Sequence, residues 1–350
     1  MTLNDVTATI STRGRTNTTL PLVLSSLLNL TTKPSKVVVY DDNDEFADPR
    51  NNDTINNILS AMQMAGIQWY WMPGARIGQV ANHEQARKTC DTAFIWRIDD
   101  DNVLPPDTLE VLYKTITADS KIGAVGPSIV DPKAPLYNRL ASNKIEDIYL
   151  GLNEQWAYHT KIETKEVEHL QGSTLLYRVA AATHGYESSL SRKGHREETI
   201  FTYEMFRAGW KLVIVLGLTV WHFHYQTGGI RSETDNRMGL NDETVFRNKL
   251  REWGVVASNY KFYYLDSGRG DHYAFKQLLP EILKRYKDFK IIIGCCYPDC
   301  FWDIEEDSIK LASLADVAPF VDTNKQNVYK YMFENNWKTG LVDAMRKVYL

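Results

Sequence analysis

Short apolar runs rich in β-branched residues alternate with segments of helical period along the first third of the chain. Residues 6–10 form one such run, and 18–29 follow with Leu20, Leu24, Leu27 and Leu28 at helical spacing. Runs at 36–40, 67–72 and 94–98 alternate with helical patterns at 53–65, closed by Gly66, and at 82–89. Pro105-Pro106 then predict the start of a helix through Ala118, because proline suits a first helical turn. This alternation constrains the chain to a mostly parallel α/β sheet with helices on both faces. Polar clusters at 11–15, Asp41-Asp42 and Asp99–Asp101 fall at predicted strand ends, where such sheets take their ligands.

The middle is less regular. Strands are expected at 174–177, 211–215 and 219–221, with helices at 196–207, stopped by Gly209, and at 242–253, closed by Gly254. From Lys261 the alternation restarts: strands at 262–265, 291–293 and 317–321, helices at 273–286, 308–315, 328–337 and 341–348. Together with the length of 350 residues this predicts two domains, 1–255 and a smaller Rossmann-like α/β unit at 256–350.

Composition narrows the function classes. With 43% hydrophobic and 24% charged residues the chain has core material for a globular protein, which excludes collagen-like, coiled-coil and disordered classes. A net charge of -4 argues against sequence-independent nucleic-acid binding. The start of the chain lacks a basic segment followed by an apolar run, and no stretch has the ~18 apolar residues of a membrane span. Of Cys90, Cys295, Cys296 and Cys300, the three clustered thiols lack the second Cys or His pair of a zinc site and read as reduced thiols. The expected location is cytoplasmic.

Three consecutive carboxylates after an apolar strand repel one another unless a cation is present. A hard divalent ion takes oxygen ligands and meets that need. In extended chain Asp99 and Asp101 point one way and Asp100 the other. Asp101 can then hold metal directly, with Asp99 on metal-bound water or a ribose. A solvated turn with a helix cap is the alternative. In Trp221-His222-Phe223-His224 the same alternation puts both histidines on one face, either as ligands or as a structural pair. Arg231, in a glycine-rich stretch that can form a lid, can meet a diphosphate through its guanidinium fork. Arg13 and Arg15 suit either a phosphate or the surface. Arg192, Lys193, His195 and Arg196 suit either an anionic acceptor or a solvated loop. Trp156 and Trp210 suit either a sugar or the core. The pair Gly268 and Gly270 sits between a strand and a helix, a place for phosphate contact.

The segment 94–109, FIWRIDDDNVLPPDTL, resembles the metal-binding DxD segment of family 2-type glycosyltransferases with the GT-A fold. Other elements follow in matching order, and the resemblance covers residues 4–230. Residues 6–15 are similar to the first strand and donor loop, with Thr12 where a proline is common. Val37 to Asp42 resembles the strand ending in the aspartate that reads the base, and Gly78 and Asn82 resemble residues ahead of the DxD strand. Glu197-Glu198 stands where the family has Glu-Asp, with Gly209 eleven residues after Glu198. The resemblance therefore implies Glu198 as the base. The bland reading is that both acids favour a helix N-terminus. It also implies a histidine on the metal, His222 first and His224 second, and Gly172 and Ser173 beside donor sugar and acceptor. Gly268–Asp271 resembles the opening turn of the GT-B architecture, in a unit that reads as accessory or as a truncated relic.

The expected function is metal-dependent inverting transfer of a sugar from a nucleotide-diphosphate sugar, UDP-sugar by resemblance, to a hydroxyl acceptor. Mn2+ or Mg2+ is the implied cofactor, on Asp99, Asp101 and His222 or His224. Thr12, Arg13, Arg15, Asp41, Asp42, Asn82, Asp99, Asp100 and Arg231 are the expected donor contacts. Glu198 takes the acceptor proton, and Gly172, Ser173 and Glu197 lie on the acceptor side. A nucleotidyltransferase and a non-catalytic nucleotide-sugar binder are the alternatives. Glycosylation of nucleic-acid bases is conceivable but not favoured.

Overall fold

The computed structural model describes every residue except 131, 133–143, 146–160, 171, 226, 231–235, 256–259, 305, 307, 319–320 and 323–324. The described residues divide into two compact units, one within 1–253 and the other within 254–350.

In the first unit β1 (Thr2–Thr12), β2 (Lys33–Asp41), β3 (Gln68–Pro73) and β4 (Phe94–Asp99) are mutually parallel. The crossovers are helical: α1 (Leu20–Leu28), α2 (Asp53–Met64) and α3 (Gln79–Thr89). Helices α1 and α2 bury apolar stripes, whereas the buried face of α3 includes Asn82 and His83. Leu20, Val23, Leu24 and Leu27 of α1 are buried, as are Ile55, Leu59 and Met62 of α2. The Asn52 side chain caps α2 by accepting from Ile55 N–H.

Beyond β4 the sheet becomes mixed. It adds β5 (Asn102–Val103), β6 (Ile122–Val130), β7 (Glu163–Val167), β8 (Thr174–Arg178) and β9 (Lys211–His222). The described order is β3-β2-β1-β4-β8-β6-β9-β5, with β7 also paired to β9. Antiparallel β8 lies between β4 and β6. The sequence reading missed β5, β6 and β7. The two strands expected at 211–215 and 219–221 are one strand, β9, interrupted where Val215 and Thr219 face consecutive residues of β6. Gly217 makes the interruption: its φ is +81°, and a Cβ there would meet the Lys161 carbonyl oxygen at 2.0 Å.

Helix α4 (Thr108–Ala118) begins later than the proline pair suggested. Pro105 and Pro106 form the turn before it, where the Pro105 carbonyl accepts from Thr108 and the Pro106 carbonyl from Thr31 N–H. Helix α5 (Glu197–Arg207) follows β8, and α6 (Asn236–Glu252) follows β9. No helix among the described residues is long and apolar enough to cross a membrane.

The second unit carries a parallel three-stranded sheet, β10 (Tyr260–Leu265), β11 (Lys290–Cys295) and β12 (Ile309–Ala312). The helix expected at 273–286 is two, α7 (Arg269–Lys276) and α8 (Leu279–Arg285), with Pro280 in the first turn of the second. The helix expected at 308–315 is a correction of kind: residues 309–312 pair with Ile291–Gly294 of β11, and that pairing overrides helical spacing. Leu314–Val317, expected in part as strand, forms the short helix α9, and residues 319–320 lie outside the described residues. Two helices, α10 (Val328–Glu334) and α11 (Leu341–Tyr349), end the unit. Its core holds Tyr263, Phe275, Ile282, Ile291, Ile293, Phe301 and Met345.

Candidate active site

Register brings the polar clusters together. Pairing of β1 with β4 sets Ser11 beside Asp99, and pairing of β1 with β2 sets Thr12 beside Asp41. Pairing of β5 with β9 sets Asn102 beside His222, which returns the far edge of the sheet to the aspartate turn. These strand ends enclose a cleft of about 230 Å³. Thr12, Arg13, Arg15, Asp42, the three aspartates, His222 and His224 line it, with Ser11, Gln79, Tyr225, Gly229 and Ile230.

Asp99, Asp101 and His222 form the one group among the described residues whose ligand atoms can converge on a metal. One ligand atom of each lies within 4.8 Å of the others. His222 Nε2 is 3.0 Å from Asp101 Oδ1 and 3.9 Å from Asp99 Oδ2. Two carboxylates and an imidazole suit Mn2+ and accommodate Mg2+ less well, so the donor set fits the implied ion. His224 has φ +45° and stacks its ring edge-on against His222 at 4.0 Å, outside the converging set.

The environments of the three acids differ. Burial pushes the Asp99 carboxyl up. Burial pushes Asp100 up to about 6, against the opposing charge of Arg15 and the hydrogen bond from Thr12. Burial works the same way on Asp101, but the hydrogen bond and charge of His222, with Arg15 and the Tyr225 N–H, hold it well below the usual carboxylate range. Asp100 lines the same cleft outside the converging set, and residues 100 and 101 form a turn in which strict strand alternation does not apply. The Asp100 oxygens accept from Thr12 Oγ1 at 2.7 Å and Arg15 Nη1 at 2.6 Å. The same Arg15 nitrogen is 3.0 Å from Asp101 Oδ2, and Arg15 Nη2 donates to the Tyr225 carbonyl at 2.7 Å. The glycine stretch lies on this arginine: Gly229 N–H donates to the Arg13 carbonyl, and a Cβ on Gly229 would meet Arg15 Nη2 at 2.9 Å. Arg13 pairs with Asp44 at 2.8 Å. Gln226 and Arg231 lie outside the described residues.

Several expected donor contacts brace the cleft, Asp42 while lining it and Asp41 and Asn82 from behind it. Asp42 accepts from the N–H groups of Arg76 and Gly78 and from the Asn82 amide. Asn82 is fully buried and also bonds Ser11 Oγ and Ala75 N–H. Asp41 is buried on Asn43 and the Trp71 indole and does not reach the cleft wall. Here the side chains fold the loop at 74–78 because its amide groups need acceptors.

Glu197 departs most from expectation. Read as facing an acceptor, it is 0% exposed, and its Oε1 lies 2.5 Å from Arg97 Nη2. The first turn of α5 points it into the protein, where a carboxylate needs a cation. Glu198 points elsewhere: it is half-buried, and its Oε1 accepts from Gly172 N–H at 3.5 Å. It does not line the cleft, yet its charge adds to the upward push on Asp99. Ser173 bonds Asn102 through Oγ at 2.6 Å, and its carbonyl accepts from Asp99 N–H and the Asn102 amide. Gln171 and Trp156 lie outside the described residues. Trp210 packs its Cβ against Gly123.

Two members of the basic run before Glu197 meet one carboxylate. Arg196 pairs with Glu243 at 3.2 Å, and His195 approaches the same carboxylate at 3.7 Å. Buried Asp242 of α6 accepts from the N–H groups of Ser191 and His195 and from Ser191 Oγ. The sequence reading missed Arg97, His83 and Gln79. A charged residue inside the apolar strand FIWRI was the available signal, since a buried arginine requires acidic partners.

The glycosyltransferase like family 2 profile matches residues 6–241. No curated protein matches the chain in sequence. Among solved structures it is similar to GalNAc-T7, in a crystal structure with UDP, GalNAc and Mn2+, at 14% identity and TM-score 0.50. That match covers 82% of this chain and 54% of the other, so this chain spans about half the length of that one. It is also similar, at TM-score 0.45 and 14% identity, to the mannosyltransferase PcManGT from Pyrobaculum calidifontis in complex with GDP-Man and Mn2+, covering 81% of this chain and 82% of that one. Such identities speak to the fold alone. The profile spans most of the first unit, and the strand order with its acidic cleft agrees with it: the chain belongs to glycosyltransferase like family 2 and has the GT-A fold.

Proposed function

We propose that the protein transfers a sugar from a nucleotide-diphosphate sugar to an acceptor hydroxyl, with inversion at the anomeric carbon. The observation that carries this reading is the convergence of Asp99, Asp101 and His222 in a cleft at the carboxyl ends of the strands. These residues would hold Mn2+ or Mg2+, which supplies charge for the leaving diphosphate. Arg13 and Arg15 bring guanidinium groups to the same cleft and suit phosphate oxygens. Thr12 and Asp42 line the wall toward which a nucleoside would lie, and Arg231 is retained as a diphosphate contact.

Glu198 would take the proton of the acceptor hydroxyl as its oxygen bonds to the anomeric carbon and the bond to the diphosphate breaks. The Gly172 amide steadies that carboxylate, and Gly172 and Ser173 form the acceptor side. Glu197 would act through Arg97 as a positioning residue. Uridine is the proposed base.

A thermal-shift panel of nucleotide diphosphates and nucleotide sugars, each with Mn2+ and with EDTA, tests the reading. A ligand that binds only the folded protein raises its midpoint. A shift with one diphosphate that EDTA abolishes, followed by sugar transfer with inverted configuration, is the expected result. No shift with any nucleotide, or donor binding without turnover, would move the assignment to a non-catalytic module.

A further inference from the structure

Arg97 lies midway along β4, only 2% exposed, on the strand that ends in the aspartates. Its Nη2 is shared: 3.1 Å from Asp99 Oδ1 and 2.5 Å from Glu197 Oε1. Its Nε donates to His83 Nε2 at 3.0 Å. His83 accepts without adding charge, because burial and then the charge of Arg97 hold its pKa well below the usual value. Gln79, which lines the cleft, donates to the same Glu197 oxygen at 3.4 Å. One guanidinium thus joins a candidate metal ligand on β4 to the first residue of α5, whose second residue is Glu198. A buried ion pair contributes little stability beyond a well-packed apolar alternative. The position of this one therefore points to the site.

Resting on the proposed transfer reaction, we infer that Arg97 and Glu197 are a buried charge couple that sets the ligand strength of Asp99 and ties the metal site to the helix bearing Glu198. A carboxylate that accepts from a guanidinium shares its charge and binds a cation less strongly. Glu197 draws part of that guanidinium away from Asp99. The two partners therefore act on metal affinity with opposite sign, although neither offers a ligand atom to the converging set.

The test measures the Mn2+ dissociation constant of the full chain by titration calorimetry, with no donor or acceptor present. Circular dichroism and melting check that each variant is folded. Glu197→Gln leaves the whole charge of Arg97 on Asp99 and is expected to weaken Mn2+ binding roughly three- to tenfold. Arg97→Gln frees Asp99 and is expected to tighten it by a similar factor. In the Arg97→Gln background the Glu197→Gln change should no longer matter, the non-additivity expected of a coupled pair. A merely structural role would weaken binding in both single variants, and that result overturns the inference, as does a shift under about twofold in both. If Arg97→Gln does not fold, Arg97→Lys keeps the charge and loses the fork. It should hold Mn2+ affinity within about twofold while sugar transfer falls, and a loss of about tenfold or more in affinity overturns the couple. Wild-type protein that bound no Mn2+ would overturn both this inference and the proposed function. Wild type that binds Mn2+ and transfers sugar, with Glu197→Gln unshifted, overturns the couple alone.

Discussion

Glu197 and Glu198 are neighbours in sequence and opposites in environment. One is enclosed beside Arg97, and the other is half-buried at a glycine amide. A base acts in the transition state, so its loss should lower turnover and spare donor binding. Glu198→Gln is expected to cost transfer roughly 10²–10⁴-fold. Its Mn2+-dependent nucleotide thermal shift should equal that of wild type, and near-normal turnover in a coupled assay would remove Glu198 from the role. Asp101 answers to the other half of the site. Asp101→Asn should abolish the EDTA-sensitive part of the nucleotide shift, because it removes the charge of a proposed metal ligand that His222 already holds in place. At this scale the sequence showed the acids and not their environments. Alternation set Asp100 apart, and the converging set does omit it, although a turn after β4 brings Asp100 and Asp101 to the same Arg15 nitrogen. It could not show that Glu197 would meet Arg97, which lies 100 positions earlier.

Among the elements, the loop at 74–78 depends on buried side-chain acceptors and on a glycine conformation. Gly78 adopts φ +107°, and a Cβ there would meet the Arg192 carbonyl oxygen at 2.3 Å. Gly78→Ala should therefore destabilise the first unit by about 1–3 kcal/mol, read as a lower melting midpoint. It should also weaken nucleotide binding, since the same loop holds Asp42. Helix α6 secures the loop before α5. Burial raises the Glu243 carboxyl, but the His195 hydrogen bond and the charges of Arg196 and Arg247 outweigh it and lower it from its ordinary 4.5 to about 2. A depressed carboxyl contributes stability in full above its unfolded value, and that contribution fades as pH falls toward the folded value. Glu243→Gln should thus lower the urea midpoint at about pH 7, with the deficit shrinking below about pH 4.5 and vanishing only once pH falls through about 2. A deficit independent of pH would mean that packing, not charge, holds α6 there. Element boundaries showed the same limit as residues. Pro105-Pro106 marked a helix start to within a few positions, whereas β12 was read as helix because its pairing with β11 comes from elsewhere in the chain.

The described residues form two units, each with its own apolar core, and the cleft is lined by residues of the first unit. Scanning calorimetry should resolve two unfolding transitions, and Mn2+ with the bound nucleotide should raise only one of them. A single transition raised as a unit would show that the two cores unfold cooperatively. What the sequence by itself determined was local: the strand–helix alternation, the polar clusters at strand ends, the DxD pattern and the family they resemble. Periodicity, chain direction and turn chemistry are written in neighbouring residues, so they can be read without the fold. What only the tertiary structure decided was which strand ends converge, that His222 and not His224 joins Asp99 and Asp101, and that Asp41, Asn82 and Glu197 turn inward. Those outcomes depend on register across strands distant in sequence and on which buried charge finds a partner, and the energy that settles them exists only once the sheet is assembled.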